Sequence, residues 1–395
     1  MSVRDFANLL NVSASSVSAW EADAGMARLR PSTQRLLDGA LASAGPAVRK
    51  RFATAMVQDP VDDGSQGVTS DDMRRRTVVT MPLAAALASL GPVGDSSHRA
   101  GRVGAKDAER LDHAVMQIRR LGHQHGGENL WAAAARIAHN GYYLLEHSSY
   151  SDRVAYQLLT ATSRAHMCAG WLAFDSGAHD AARSHYNEAL TLARQSADAS
   201  SQVHALVNLA FLSTFLGMPR QSLRYADAAE GIAGGRTAVV PRIRQATAYA
   251  LAGERTASHK AITKARASLE AVKEEAADWY SFVDHAELDG IEGTVALLLG
   301  DPRRAERLLL QAIAKYGDSF ARNRALYRVR LAKARLDLGE VEGAAISAGK
   351  ALDDLSSAVA SHVIRAELST VARRLGMFSG VPGVDLFMGR HADIN

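Results

Sequence analysis

Residues 163–195 read SRAHMCAGWLAFDSGAHDAARSHYNEALTLARQ. Apolar and small side chains recur at three- and four-residue intervals on both sides of Gly177, the pattern of two amphipathic helices joined by a tight turn. Working outward, the same arrangement returns around Gly217, Gly253, Gly300 and Gly339, at spacings of 40, 36, 47 and 39 residues. Five residues beyond each glycine stands Ala182, Ser222, Ser258, Ala305 or Ala344, and seven further on Ala189, Ala229, Ala265, Ala312 or Ala351. Seven residues before each glycine is Gly170, Ala210, Ala246, Gly293 or Ala332. Self-similarity at this period marks stacked helix pairs, and small residues at fixed places let the paired helices approach closely. Such an array usually binds something rather than catalysing something.

Residues 106–375 read almost throughout as amphipathic helix, broken at the glycine turns, with Pro219 and Pro302 where a first helical turn tolerates a missing N–H. Helices near 106–125 and 128–147 precede the repeats and one near 359–375 follows, each expected to cap the array. Residues 376–395 lose the periodicity and are expected to form a C-terminal tail. Upstream, residues 51–105 are frequent in Gly, Ser, Asp and Pro and read as a linker with a possible helix over 70–90. The chain of 395 residues is 47% hydrophobic, which excludes a disordered polymer and allows two or three folded units. No apolar run reaches the length of a membrane-spanning helix, so no membrane partner is expected. Cys168 is the only cysteine, which excludes an intramolecular disulfide framework and a multi-cysteine zinc site and fits a reducing cytoplasm.

The glycine turns and small residues resemble the tetratricopeptide repeat, over about residues 160–357. The best unit carries Gly170, Gly177, Ala182, Tyr186 and Ala189; Ala173 stands where the family prefers Tyr, and the period exceeds the usual length. The resemblance implies a right-handed α-solenoid of helix pairs whose first helices line a concave face. Carried over residue by residue, the effector groove then includes Arg164, Met167, Trp171 and Phe174 from the first unit. His204, Val207, Asn208, Phe211 and Phe215 come from the second. Polar anchors among aromatics suit a peptide or a small molecule; the alternative is that the aromatics are interhelix core.

Residues 3–21 supply a second signal. A short amphipathic helix through Phe6, Ala7 and Leu10, a break at Asn11-Val12-Ser13, and a Ser-capped helix carrying Val17, Trp20 and Glu21 resemble the helix-turn-helix of the lambda-repressor/Cro-like (XRE-type) family. The resemblance implies a DNA-binding domain over residues 1–50. The family's preceding helix is missing from Met1 onward, so the domain is read as truncated. By the family's docking mode, Ser13, Ala14, Ser15, Ser16, Ser18 and Ala19 face the major groove of double-stranded DNA. Arg4, Arg28, Arg30 and Arg35 are in reach of phosphates.

Other chemistry is not legible. The histidines His113, His123, His125, His139 and His147 lack carboxylate or cysteine companions at zinc spacing. No phosphate loop, dinucleotide fingerprint or nucleophile elbow is present. No cofactor, metal site or catalytic constellation is therefore expected. The resulting expectation is an all-α chain, cytoplasmic and not an enzyme. Its truncated helix-turn-helix is joined to a tetratricopeptide-like sensor array that binds a peptide or small-molecule effector and mediates homodimerisation. It acts as a transcriptional regulator on an operator. The alternative is a protein-interaction scaffold with a vestigial DNA-binding domain.

Overall fold

The computed structural model describes residues 102–125, 130–271, 279, 283–316, 321–357 and 361–392. The expected helix-turn-helix of residues 1–50, with all its DNA-facing residues, and the expected helix over 70–90 lie outside the described residues. Within them the chain is all-helical, and its extended backbone pairing is a single bridge between Arg102 and Ser149.

Fourteen α-helices follow one another among the described residues. Helices α1 (Ala105–His125) and α2 (Trp131–His147) precede five pairs. The pairs are α3 (Asp152–Asp175) with α4 (His179–Gln195), α5 (Ala199–Phe215) with α6 (Pro219–Ile232), and α7 (Val239–Leu251) with α8 (Arg255–Ala271). They continue as α9 (His285–Leu298) with α10 (Pro302–Lys315) and α11 (Ala321–Asp337) with α12 (Val341–Ser357). Helices α13 (His362–Leu375) and α14 (Pro382–Ala392) close the chain.

The five turn glycines explain the period. Gly177, Gly217, Gly253, Gly300 and Gly339 have φ of 85°, 74°, 79°, 72° and 78°, the left-handed region where a Cβ would collide with the following carbonyl. Each ends the first helix of a pair. At Gly177, for instance, the Gly177 and Ala178 N–H groups donate to the Phe174 and Ala173 carbonyls at 3.0 and 2.8 Å, which satisfies the last turn of α3. Asp198, Asp284 and Asp301 cap the following helices by accepting from the N–H groups of Ser201, Glu287 and Arg304. Pro219 and Pro302 occupy first-turn positions.

All ten small residues five and twelve places beyond the glycines are fully buried, at 0% exposure. They form the seams between paired helices. Where serine replaces alanine the hydroxyl is satisfied within the seam: Ser258 Oγ donates to the Ala246 carbonyl at 2.8 Å, and Ser222 Oγ accepts from Thr214 Oγ1 at 2.7 Å. At Gly170 the missing side chain is filled by the Tyr186 ring, whose Cε1 lies 2.6 Å from where a Cβ would stand.

Two expectations at the array's edges are corrected. Of the expected tail over 376–395, the described part, 376–392, is packed: α14 lies on α12 and α13, and Val384 and Phe387 are buried among Ala344, Ala348 and Leu352. Its short apolar pattern covers the last pair's exposed face and so lacks the two-sided periodicity of the repeats. At the other end the linker does not reach residue 105. The Val103 N–H donates to the Ser149 carbonyl at 3.0 Å, and Val103 packs with Ala108 and Leu158.

The array curves until its later pairs meet the first. Asp175, at the C-terminal end of α3, accepts from Arg322 Nε at 3.0 Å and from a terminal nitrogen of the same guanidinium, and from Ser361 Oγ at 2.7 Å. Arg322 begins α11 and Ser361 is the N-cap of α13. The Asp175 and Arg322 side chains are 2% and 10% exposed, so this ion pair is a buried clasp. Beside it Val363 packs into the core that holds Phe174 and Tyr186, and the His362 ring covers Gly177.

Candidate functional site

The first helices of the five pairs turn one stripe each toward a common interior. Together with α1 and α13 they enclose a cavity of about 1350 Å³. The stripe is set by helical periodicity counted back from the turn glycine. Thirteen and six residues before Gly177 stand Arg164 and Trp171; before Gly217, His204 and Phe211; before Gly253, Val240 and Thr247. Nine residues before Gly217, Gly253, Gly300 and Gly339 stand Asn208, Arg244, Ile291 and Arg330. All of these line the cavity, because residues at such intervals share a face of each helix and the tight turns hold every pair in the same register.

Arg164, Met167, Trp171, His204, Asn208, Phe211 and Phe215, the residues assigned to the groove from sequence, all border this cavity, as does Val207. Phe174 does not. It is 1% exposed and forms the centre of an aromatic cluster with Phe211, Phe215 and His179, at ring separations of 4.9, 5.0 and 5.7 Å. For Phe174 the interhelix-core reading is the correct one. Trp171 and Phe211 do both: each packs on the core and each faces the cavity.

The sequence reading stopped after two repeats and so missed the opposite wall. Arg244, Glu287, Asn323, Tyr327 and Arg330 complete it from α7, α9 and α11. Part of the signal was available, since the offset that yields Asn208 yields Arg244 and Arg330 from the later glycines, and the offset that yields His204 yields Glu287.

The wall is polar in places, and most of its charges are balanced. Arg164 pairs with Asp112 at 3.1 Å, Lys333 with Glu367 at 2.7 Å and Arg374 with Asp337 at 2.7 Å. Arg330 donates to Thr294 Oγ1 at 2.9 Å and approaches Glu367 at 3.7 Å. Burial would raise the Glu367 carboxyl, yet Arg330 and Lys333 hold it below the usual carboxylate range. Glu287 behaves oppositely: burial pushes its carboxyl up, against hydrogen bonds from Tyr316 and Tyr327 and the charge of Arg244. Its Oε2 accepts from Tyr316 Oη at 2.5 Å and from Asn323 Nδ2 at 3.2 Å.

His204 stacks on Trp279 at 4.3 Å, and burial, with Arg119 and Arg164, pushes it down to about 3, so it is neutral at physiological pH. Burial likewise pushes the Cys168 thiol up to about 12, which keeps it protonated and a poor nucleophile at neutral pH. The guanidinium of Arg322 lies over Trp171 at 4.8 Å, so the clasp that joins the ends of the array is also part of the cavity wall. The chamber can hold an organic molecule by apolar burial and orient it with a few polar groups; among the described residues no cluster of three metal-ligating side chains is present.

These features define a helical-repeat protein with an internal chamber. No protein-family model matches the chain, and no curated protein does. Similar solved structures include the apo form of the quorum sensor NprR from B. thuringiensis, at 15% identity over 79% of this chain and 85% of that one, with a TM-score of 0.43. A Rap protein complexed with Competence and Sporulation Factor is 13% identical over 74% of this chain and 98% of that one, with a TM-score of 0.40. BtubC (BKLC) from P. vanneervenii is 15% identical over 57% of this chain and 90% of that one, again at 0.40.

Proposed function

We propose that this protein is an effector-responsive transcriptional regulator of the cytoplasm. Its repeat array receives a peptide or small molecule in the chamber and its residues 1–50 bind an operator as part of a homodimer. The observation that carries the sensing half is the convergence of one stripe from each of five repeats on a single cavity of about 1350 Å³. That volume exceeds the roughly 300–1,000 Å³ of ordinary small-molecule pockets, and it suits an extended organic molecule or a short peptide. The DNA half rests on the helix-turn-helix pattern of residues 3–21.

Coupling follows from the wall. Trp171 and Arg322 face the chamber, and Arg322 also holds Asp175 in the clasp. An effector that contacts these side chains binds the clasped and unclasped forms unequally, which is the requirement for shifting their populations. No catalytic role is assigned to the chamber. The test is genome-wide binding of the full chain, with and without residues 1–50. Discrete enriched sites that vanish on the deletion support the proposal. A flat profile for the intact chain, with stable protein partners captured equally by both forms, favours the scaffold alternative and overturns it.

A further inference from the structure

Among the described residues, every cation of the chamber wall but one is held by a polar partner. Arg164, Arg322, Lys333 and Arg374 each meet a carboxylate, Arg330 meets Thr294 and Glu367, and Arg119 is also engaged. Arg244, on α7, is different. Its Nε is buried with no hydrogen-bond partner, and no ion pair reaches its guanidinium among the described residues. The group lies over the Phe211 ring at 4.6 Å. Glu287 is the nearby carboxylate whose charge it feels, but that carboxylate is taken by Tyr316 and Asn323, and burial favours its neutral form.

A guanidinium stays protonated even when desolvated, so this one keeps its charge inside the protein without a counterion. Such an arrangement is costly to the free protein. Phe211 lies beneath it, and Trp171, Val240, Ile291 and Leu297 give the chamber further apolar lining, while Glu287, Tyr327, Tyr186 and Arg330 are the ionisable groups that act on it.

We infer that Arg244 is the anchor for a carboxylate on an apolar body, and that the effector of the chamber is an amphipathic acid. This inference rests on the reading of the chamber as an effector site and specifies its chemistry. The flat guanidinium fork matches a carboxylate with two parallel hydrogen bonds, while the aromatic and aliphatic wall takes up the body of the ligand. Two sources share this chemistry, a free lipophilic acid and the C-terminal carboxylate of a short apolar peptide.

The experiment is calorimetric titration of the full chain with two matched pairs: decanoate against decan-1-ol, and acetyl-Leu-Phe-Val-Leu as free acid against its C-terminal amide. In at least one pair the acid is expected to bind about tenfold or more tightly than its neutral partner, the value of a hydrogen bond to a charged group. The pair that shows it identifies the source. Arg244→Gln brings that ratio to about one, Arg244→Lys keeps part of it, and Arg390→Gln, which alters an exposed ion pair with Asp353 outside the chamber, leaves it unchanged. The ligand-free melting temperature of Arg244→Gln should equal or exceed that of the parent, whereas a structural arginine would lower it. Equal binding of acid and neutral probe in both pairs, or an acid preference that survives Arg244→Gln, overturns the inference and leaves the chamber as an effector site. Failure of all four probes to bind overturns the inference and counts against the chamber reading as well.

Discussion

Replacing Asp175 by alanine tests whether the array is held closed by its clasp. Asp175 is the common acceptor for Arg322 and Ser361, which lie on elements 147 and 186 residues later in the chain. Its side chain is 2% exposed and that of Arg322 is 10% exposed, so solvent cannot replace the lost carboxylate without the ends moving apart. Stranding a buried cation costs about 3–5 kcal/mol. For a domain of this size roughly 2 °C is lost per kcal/mol, giving a fall of roughly 6–10 °C in the melting temperature. Circular dichroism at a helical wavelength measures the shift. Hydrogen exchange supplies its location: protection should fall first at the end of α3 and the starts of α11 and α13. The joint replacement Asp175→Leu with Arg322→Met should recover much of the loss, because the stranded charge is gone. A single-mutant effect below about 1 kcal/mol, which is the range of an exposed pair, would refute the argument that this contact closes the array. So would a loss of protection spread evenly over all helices.

Four further outcomes are expected. Ala197 adopts φ 52° at the α4–α5 turn, with its cap bonds made as at the glycine turns, so Ala197→Gly should stabilise by about 1 kcal/mol in denaturant titration. Gly170→Ala should instead lose roughly 1–3 kcal/mol, because the new Cβ meets the fully buried Tyr186 ring. His166 and His204 are both pushed down to about 3, burial being the main cause. A folded pKa below the ordinary 6.5 means that their stabilisation is complete above about pH 6.5 and is lost as the pH falls toward the folded value. Proton NMR should show neither imidazole titrating between pH 5 and 8, and a midpoint near 6.5 for either would contradict the burial. Phe387→Ala should cost about 3–5 kcal/mol locally and make α14 the first site of limited proteolysis; unchanged protease resistance would show that the last helix is not a packed cap.

The repeat architecture was legible because it depends on short-range rules. A turn that requires positive φ selects glycine, and a close helix seam selects Gly, Ala or Ser. Both constraints recur at a fixed offset, so Gly177 and its four equivalents announce the helix pairs without any knowledge of their neighbours. The same offsets located half of the chamber wall. They contained the other half too, at Arg244, Glu287 and Arg330, although nothing local distinguishes an inward-facing arginine from a solvated one.

What the sequence could not decide was how far the array curves. Curvature accumulates from small rotations at every interface, and only its sum brings Asp175 to Arg322 and Ser361. That sum turns a concave surface into a chamber and divides its charges into paired and unpaired. Arg164 and Arg244 look alike in the chain; one finds Asp112 across the fold and the other finds Phe211 and no carboxylate. Phe174 and Phe211 likewise share the aromatic character expected of a groove, and only packing sends the first into the core and the second to the wall. The residue identities determined the elements and their seams by local backbone and contact sterics. The tertiary structure decided which charges are compensated, because compensation depends on partners on other helices, 34 residues away for Lys333 and Glu367 and 147 for Asp175 and Arg322.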